Sequence, residues 1–418
     1  MIPCAPEPTY LTSLVISTQR LSHAVPFIFQ KMSLAAPAGT TDFIAEYIWI
    51  SGKNTHKDIR GKTRVLRGPL PPLDASALTN LSPAELTPFF PQWSFDGSST
   101  DQAKGENTEI IIEAVRAFLH PFPRSGADVS MRLNRFLVLC QCFTPDGKDF
   151  TPCNTRCLAD DVFAPHRGLE PWFAFEQEYV ILDRKTGRPY MWPENGFPAP
   201  QGPYYCSYGA TAWGRDVAEE HLERCLAAGV RLSGINAEVL PGQWEYQVGP
   251  NVGIAAGDHA VVARWILLRV AEDKGLDIAF ESKPVKGDWN GSGMHTNYST
   301  APMRTANGLK VIVESCERLR ATHMKEVAVY GTDNNERLSG KHETSNWRTF
   351  AFGFGTRHTS IRIPVQCQNT GCGYFEDRRP SSSADPYLVS SRLFASSNGF
   401  AAPKLDAFGE AHRPVWQL

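Results

Sequence analysis

Two carboxylates, Glu176 and Glu178, sit inside an otherwise aromatic and aliphatic run, Pro171-Trp-Phe-Ala-Phe-Glu-Gln-Glu-Tyr-Val-Ile-Leu182. In an extended strand alternate side chains share a face, so both glutamates would point the same way, about 7 Å apart. Like charges held at that spacing repel unless a cation or a shared proton relieves them. A solvated strand face is the ordinary fate of Glu-x-Glu. The apolar flanks predict a buried strand instead, and buried carboxylates need a partner.

Partners are available further along the chain. The stretch Asn236-Ala-Glu-Val-Leu-Pro-Gly-Gln-Trp-Glu-Tyr-Gln-Val-Gly-Pro250 reads as two strands turning at Pro241-Gly242, with Glu238 on the first and Glu245 on the second. Trp244, Tyr246 and Val248 take one face, which leaves Glu245 and Gln247 on the other; a surface hairpin is the alternative. The run Gly287-Asp-Trp-Asn-Gly-Ser-Gly-Met-His-Thr-Asn-Tyr-Ser299 lets backbone or substrate approach closely. Its His295 is either a packed core histidine or, beside carboxylates, a ligand. Arg337 opens the polar loop Arg-Leu-Ser-Gly-Lys-His-Glu343, Arg362 alternates with Ile361 and Ile363, and Glu376, Arg378 and Arg379 follow in Tyr-Phe-Glu-Asp-Arg-Arg-Pro380. Arginine forks suit carboxylate and phosphate oxygens, although surface ion pairs are their commoner fate. Carboxylates with one imidazole suit Mg2+ or Mn2+, and a metal site with arginines suits phosphoryl transfer. No G-x-x-x-x-G-K-[ST] motif occurs, so a P-loop is excluded as the phosphate cradle.

These groups need a scaffold. A chain of 418 residues exceeds one compact core and predicts two domains. Residues 42–146 look strand-dominated, with strands at 44–50, 63–66 and 136–143. Residues 147–418 mix strands with helices at 216–228, 258–274 and 309–328, the first two stopped by Gly229 and Gly275. Residues 1–41 differ from both, being rich in Pro and Ser and carrying Glu7 as their only acidic residue. They predict a disordered extension, with Met32 able to serve as a start; a mitochondrial presequence over 1–31 is the alternative.

Composition narrows the function classes. Lys and Arg number 42 against 44 Asp and Glu, which argues against a general nucleic-acid binder. No apolar run reaches the roughly 18 residues of a membrane span. The ten cysteines form no paired C-x2-C array, which argues against a structural zinc site, and reduced thiols in the cytosol are expected.

Taken in order, Phe-Asp-Gly-Ser-Ser at 95–99, the Glu-Gln-Glu strand, Asn-Ala-Glu-Val with Gln-Trp-Glu, Asn-Gly-Ser-Gly-Met-His-Thr-Asn, Arg-Leu-Ser-Gly-Lys-His-Glu-Thr-Ser and Tyr-Phe-Glu-Asp-Arg-Arg-Pro resemble the glutamine synthetase family, eukaryotic type, over about residues 42–390. The resemblance implies an α+β fold: a small β-grasp domain, then a large catalytic domain whose curved antiparallel sheet forms an open funnel flanked by helices. It implies that Glu178, Glu238 and Glu245 hold one metal, and that Glu176, His295 and Glu376 hold the metal on the ATP phosphates. Two or three Mg2+ or Mn2+ ions per site are implied. It implies phosphate contacts at Arg357 and Arg362, with Arg357 nearest the transferred group. A glutamate site follows at Asn290, Gly291, Arg337 and Arg378, and a nucleotide pocket at Trp172, Asn297, Tyr298 and Ser299. An ammonium site is implied at Asp96, Ser99, Tyr205 and Glu343, with Asp96 the candidate base and Glu343 on a flap that excludes water. Relatives assemble as ring-stacked homo-oligomers, usually decamers in this type, in which the Asp96 loop completes a neighbour's site.

The implied reaction joins ammonia to L-glutamate through γ-glutamyl phosphate at the expense of ATP, in the cytoplasm. Three rival readings fit parts of the pattern. A γ-glutamyl ligase for a larger amine would alter the Asp96, Tyr205 and Glu343 set. A glycoside hydrolase with paired glutamates would not need the arginines. A non-catalytic relative would have lost ligands. The chain departs from the family pattern in longer stretches at 74–91 and 124–135, in a loop one residue short at 209–213, and after about residue 402.

Overall fold

The computed structural model describes residues 41–52, 58–122, 134–151 and 153–403. The predicted extension or presequence, most of the 124–135 stretch and the end of the chain lie outside the described residues.

The first sheet is built from β1 (Thr41–Ile50), β2 (Ile59–Gly68), β3 (Trp93–Asp96), β4 (Glu109–Leu119) and β5 (Asn134–Phe143), with the short helices α1 (Ala75–Thr79) and α2 (Pro83–Leu86) between β2 and β3. Its order is β2-β1-β5-β4-β3. β1 and β5 run parallel at the centre and the remaining pairs are antiparallel, as the predicted β-grasp requires. Phe43, Ala45, Tyr47 and Trp49 alternate onto one buried face of β1 and close a core with Ile110, Ile112 and Phe136. Between Ala114 and Arg116 the β4 register shifts by a residue. Such a bulge exchanges the faces of the strand, and Arg116 turns toward the second domain.

That domain contains α3 (Thr155–Phe163), β6 (Trp172–Asp183), α4 (Arg215–Ala228), β7 (Leu232–Ala237), β8 (Gln243–Val252), α5 (Ile254–Asp273), β9 (Leu276–Ala279), β10 (Met294–Ser299), α6 (Gly308–Val327), α7 (Asn334–Arg337), β11 (Phe352–Phe354), β12 (Ile361–Ile363), α8 (Val365–Thr370), β13 (Phe375–Asp377) and α9 (Pro386–Asn398). Its curved sheet has the order β11-β12-β13-β10-β6-β8-β7, and β9 joins the far end of β6. The sheet is curved and antiparallel as predicted, apart from one parallel pair, β11 and β12. A three-residue strand spans only about 10 Å, which the short connection between these two can retrace. Helix α4 ends as expected at Gly229, which adopts φ 89°.

A buried ion cluster joins the two domains. Asp258 on α5 accepts from Arg116 Nε at 2.8 Å, from Arg156 Nε at 2.7 Å and from the Tyr387 hydroxyl at 2.7 Å. The two guanidinium groups hold the Asp258 carboxyl well below the usual carboxylate range, against the opposing effect of burial.

Candidate active site

β6 is the axis of the site. Phe173, Phe175 and Tyr179 enter the core while Glu176 and Glu178 face the opposite side, and all five obey the strand parity. Glu176 lies opposite His295 on β10 and opposite Gln247 on β8, and Glu178 lies opposite Glu245 on β8. On β10 the same alternation separates His295 and Asn297 from Met294 and Tyr298, which belong to the core. Asn297 is opposite Glu376 on β13, and Glu376 is opposite Arg362 on β12. One continuous face of the sheet thus carries Glu245, Glu178, Glu176, His295, Asn297, Glu376 and Arg362.

Glu238 departs from its expected position. β7 stops at Ala237, and Glu238 occupies the turn into β8. Its backbone N–H donates to the Gln243 carbonyl at 2.9 Å, and its carboxylate accepts from Asn236 Nδ2 at 3.1 Å. The turn begins earlier than Pro241-Gly242 alone implied, and it aims Glu238 back toward Glu178.

Two groups of ligand atoms result, Glu176 with His295 and Glu376, and Glu178 with Glu238 and Glu245. Within each group the atoms lie within 4.8 Å of one another. His295 Nδ1 is 3.4 Å from both Glu176 Oε2 and Glu376 Oε1. Burial pushes the Glu178 carboxyl up to about 7, opposed by the Gly293 N–H that donates to it at 2.6 Å. Burial and then the charge of Glu178 push Glu238 up to about 8. Burial and then Glu176 raise Glu245 well above its ordinary value. Burial, followed by the Arg378 charge, lowers His295 and keeps its imidazole neutral. Hard oxygen donors, crowded anions and a neutral imidazole fit divalent cations such as Mg2+ or Mn2+.

All of these ligand residues except the deeper Glu376 line one cavity of about 290 Å³, also lined by Tyr205, Asn290, Gly291, Arg337, Glu343, Arg357, Arg362 and Arg378. Arg362 Nε lies 2.5 Å and Arg378 Nη1 2.7 Å from the Glu376 carboxylate. Arg337 is buried and donates to the carbonyls of Arg378, Arg379 and Pro380 at 2.9, 3.0 and 2.7 Å, so it shapes the loop that presents Arg378. A Cβ on Gly291 would stand 2.6 Å from Arg337 Cγ and 2.6 Å from the Ser282 carbonyl oxygen, so only glycine fits. Glu343 accepts from Asn290 Nδ2 at 3.0 Å, and its carbonyl accepts from Arg378 Nη2 at 3.1 Å. His342 and Glu343 adopt φ 51° and 60°, a left-handed pair that β-carbons disfavour.

Other expected site residues lie apart. Asp96 and Ser99 are exposed on the first sheet and do not line the cavity; the Ser98 hydroxyl and amide hold the Asp96 carboxyl below its ordinary value. Trp172 pairs with Ser299 at the end of the sheet, and Arg304 stacks over its ring at 4.0 Å. The Tyr298 side chain is buried among core residues, with Ser397 and Asn398 donating to its hydroxyl, so its ring does not face the cavity. Asn297 donates to Glu176 at 2.7 Å. Tyr205 is half exposed at the rim, its hydroxyl pushed up to about 12 by burial and then by Glu238.

Gln243 and Arg304 were not anticipated as supports, whereas strand parity already assigns Gln247 to the acidic face of its strand. Gln243 Nε2 donates to the Gly291 carbonyl at 3.0 Å and Ser292 Oγ at 2.9 Å, and Gln247 bonds both Glu245 and Asn236. Their signal was in the sequence, because Gln243, Glu245 and Gln247 share one parity on β8. Arg304 carried no such signal, since it lies in a turn remote in sequence from Trp172.

Residues 162–405 match the family described as Glutamine synthetase, catalytic domain. The chain is similar to a glutamine synthetase root isozyme 3 of Zea mays, 45% identical over 357 residues, spanning 85% of this chain and 93% of that protein. A glutamine synthetase cytosolic isozyme of Medicago sativa is 47% identical over the same shares. A glutamine synthetase of Hordeum vulgare is 45% identical over 87% of this chain and 96% of its own length.

Proposed function

This chain belongs to the glutamine synthetase family and is a glutamate–ammonia ligase, and we propose that the residues converging on its cavity divide the reaction as follows. The γ-carboxylate of L-glutamate attacks the γ-phosphorus of ATP and displaces ADP, giving γ-glutamyl phosphate. Ammonia then attacks the acyl carbon and expels phosphate, giving L-glutamine. The observation that carries this assignment is the pair of adjoining anionic groups on one sheet face and the turn beside it, flanked by four arginines in the same cavity.

Glu178, Glu238 and Glu245 would hold one divalent cation, and Glu176, His295 and Glu376 another, with Mg2+ or Mn2+ as the ions. When bound, such ions would neutralise phosphate charge and order the γ-carboxylate that accepts the phosphoryl group. Arg362 and Arg378, already fixed on Glu376, and the exposed Arg357 lie where phosphate oxygens gather charge during transfer. Asn290, Gly291, Arg337 and Arg378 form the glutamate end. Trp172, with Arg304 stacked on it, and Asn297 form the nucleotide end; Tyr298 contributes backbone there and Ser299 orients Arg304. Glu343 on its pinned loop, with Tyr205, closes the side from which ammonia arrives. Asp96 takes the ammonium proton.

Because Asp96 and Ser99 stand exposed outside their own cavity, we assign them to the cavity of a neighbouring copy in a ring-shaped homo-oligomer, a decamer by analogy with the family. Among the described residues no helix is long and apolar enough to cross a membrane. A cytosolic enzyme agrees with the names of relatives. The test is ADP release and amide formation with ammonia against a panel of larger amines. Strict preference for ammonia supports the reading, and faster turnover with an organic amine overturns it.

A further inference from the structure

Arg264 lies midway along α5, is 1% exposed, and faces the reverse side of the strand that carries Glu176 and Glu178. Three other buried arginines take carboxylates: Arg156 pairs with Asp258, Arg379 with Asp377 and Arg392 with Glu326. Arg264, like Arg337, is bonded to neutral acceptors instead. Its Nε and Nη2 donate to Gln177 Oε1 at 2.9 and 2.7 Å, and Nη2 reaches the carbonyls of Ser382 and Ala384 at 3.0 and 2.8 Å. A fork on neutral acceptors is a geometric clamp rather than half of an ion pair.

The clamp grips the segments that hold the site. Gln177 separates the two glutamates, and its Nε2 donates to Ser382 Oγ at 2.7 Å. Ser382 Oγ in turn donates to the Glu178 carbonyl at 2.6 Å, and the Ser382 N–H donates to the Ser292 carbonyl at 3.0 Å. Next to Ser292, the Gly293 N–H donates to the Glu178 carboxylate. One guanidinium therefore registers β6 against the segment following Arg378, and through Ser382 against the glycine-rich run before His295.

We propose that Arg264 is a positioning residue for the metal-binding carboxylates, acting through Gln177 and Ser382. This rests on the metal-site reading above. Groups that orient metal ligands typically change affinity by about 10–100-fold when removed.

The test is calorimetric titration of the metal-free protein with Mn2+, alongside thermal unfolding. Arg264→Met is expected to weaken Mn2+ binding roughly tenfold or more, and Ser382→Ala by several-fold. Arg392→Met, which breaks a buried ion pair elsewhere, is expected to lower stability while leaving Mn2+ affinity unchanged. Glu178→Gln reports on the premise: if it binds Mn2+ normally, the metal-site reading itself fails. If Glu178→Gln is weakened while Arg264→Met and Ser382→Ala bind normally, the positioning role alone is overturned. Should Arg264→Met not fold, the Ser382→Ala affinity decides.

Discussion

Glu178 and Glu245 are directly opposed across the antiparallel pair β6–β8, both buried and facing the same cavity. Like charges in that relationship destabilise a sheet unless something binds between them. Glu245→Gln is therefore expected to leave the metal-free protein as stable as the parent, or more so, while lowering turnover roughly a hundredfold or more. Thermal unfolding in chelator and turnover at saturating Mg2+ and Mn2+ check both halves. Near-normal turnover would remove Glu245 from the metal site.

On the proposed assignment of Asp96 as the base, Asp96→Ala is expected to separate the two chemical steps. Phosphoryl transfer relies on groups that Asp96→Ala leaves intact, whereas amide formation relies on deprotonated ammonia. Slow glutamate-dependent ATP cleavage is expected to persist while glutamine formation collapses. Asp96→Ala and Arg378→Ala chains, each inactive alone, are expected to regain part of the activity when co-assembled. Mixed rings verified by tagging, yet still inactive, would confine Asp96 to its own chain or remove it from catalysis.

The space beside Gly291 gives a sharper expectation. In Gly291→Ala the new methyl meets a backbone oxygen and the stem of Arg337 at 2.6 Å. Overpacking of this kind costs about 1–3 kcal/mol, and the displaced groups belong to the proposed glutamate end. KM for glutamate is expected to rise roughly tenfold with KM for ATP little changed. Equal effects on both substrates would mean that the loop serves the whole cavity.

Acid should unfold this protein through its buried histidines. Burial lowers His221 and His323 to about 4 and His259 to about 3. In the unfolded chain an imidazole takes up its proton below about pH 6.5. Their folded values being depressed, these groups contribute stability that is complete above about pH 6.5 and is lost as pH falls toward the folded values. The thermal midpoint is expected to fall by several degrees between about pH 7.5 and about pH 5. A flat profile would show that the three imidazoles are reached by solvent.

The interdomain cluster supplies a control in the same pH range. Asp258→Asn leaves Arg116 and Arg156 buried without their counter-charge, which typically costs about 3–5 kcal/mol. Unfolding is expected to lose cooperativity between the two sheets, visible as separated transitions. A single transition at the parent midpoint would make the cluster energetically silent.

The site was legible where chemistry follows strand parity. Glu176, Glu178, Glu245 and Arg362 each face the side that alternation assigns them. Glu238 was misplaced by one element because a turn, not a strand, aims it. Helix α9 gave no signal because nearly every residue in it is buried, so it lacks an amphipathic period. β4 escaped because its bulge breaks the alternation in mid-strand. Arg264 could not be foreseen, since its partners lie 87 and 118 residues away and no local pattern links them.

β6 and β10 each give one face to the core and the other to the cavity, residue by residue. A single inserted or deleted residue in either strand would therefore exchange packing for chemistry along the remainder of its length. Substitutions can be tried there one at a time, but changes of length cannot. Strand parity does not bind the connections, such as residues 74–91 and 209–213, where a change of length leaves the alternation of β6 and β10 intact.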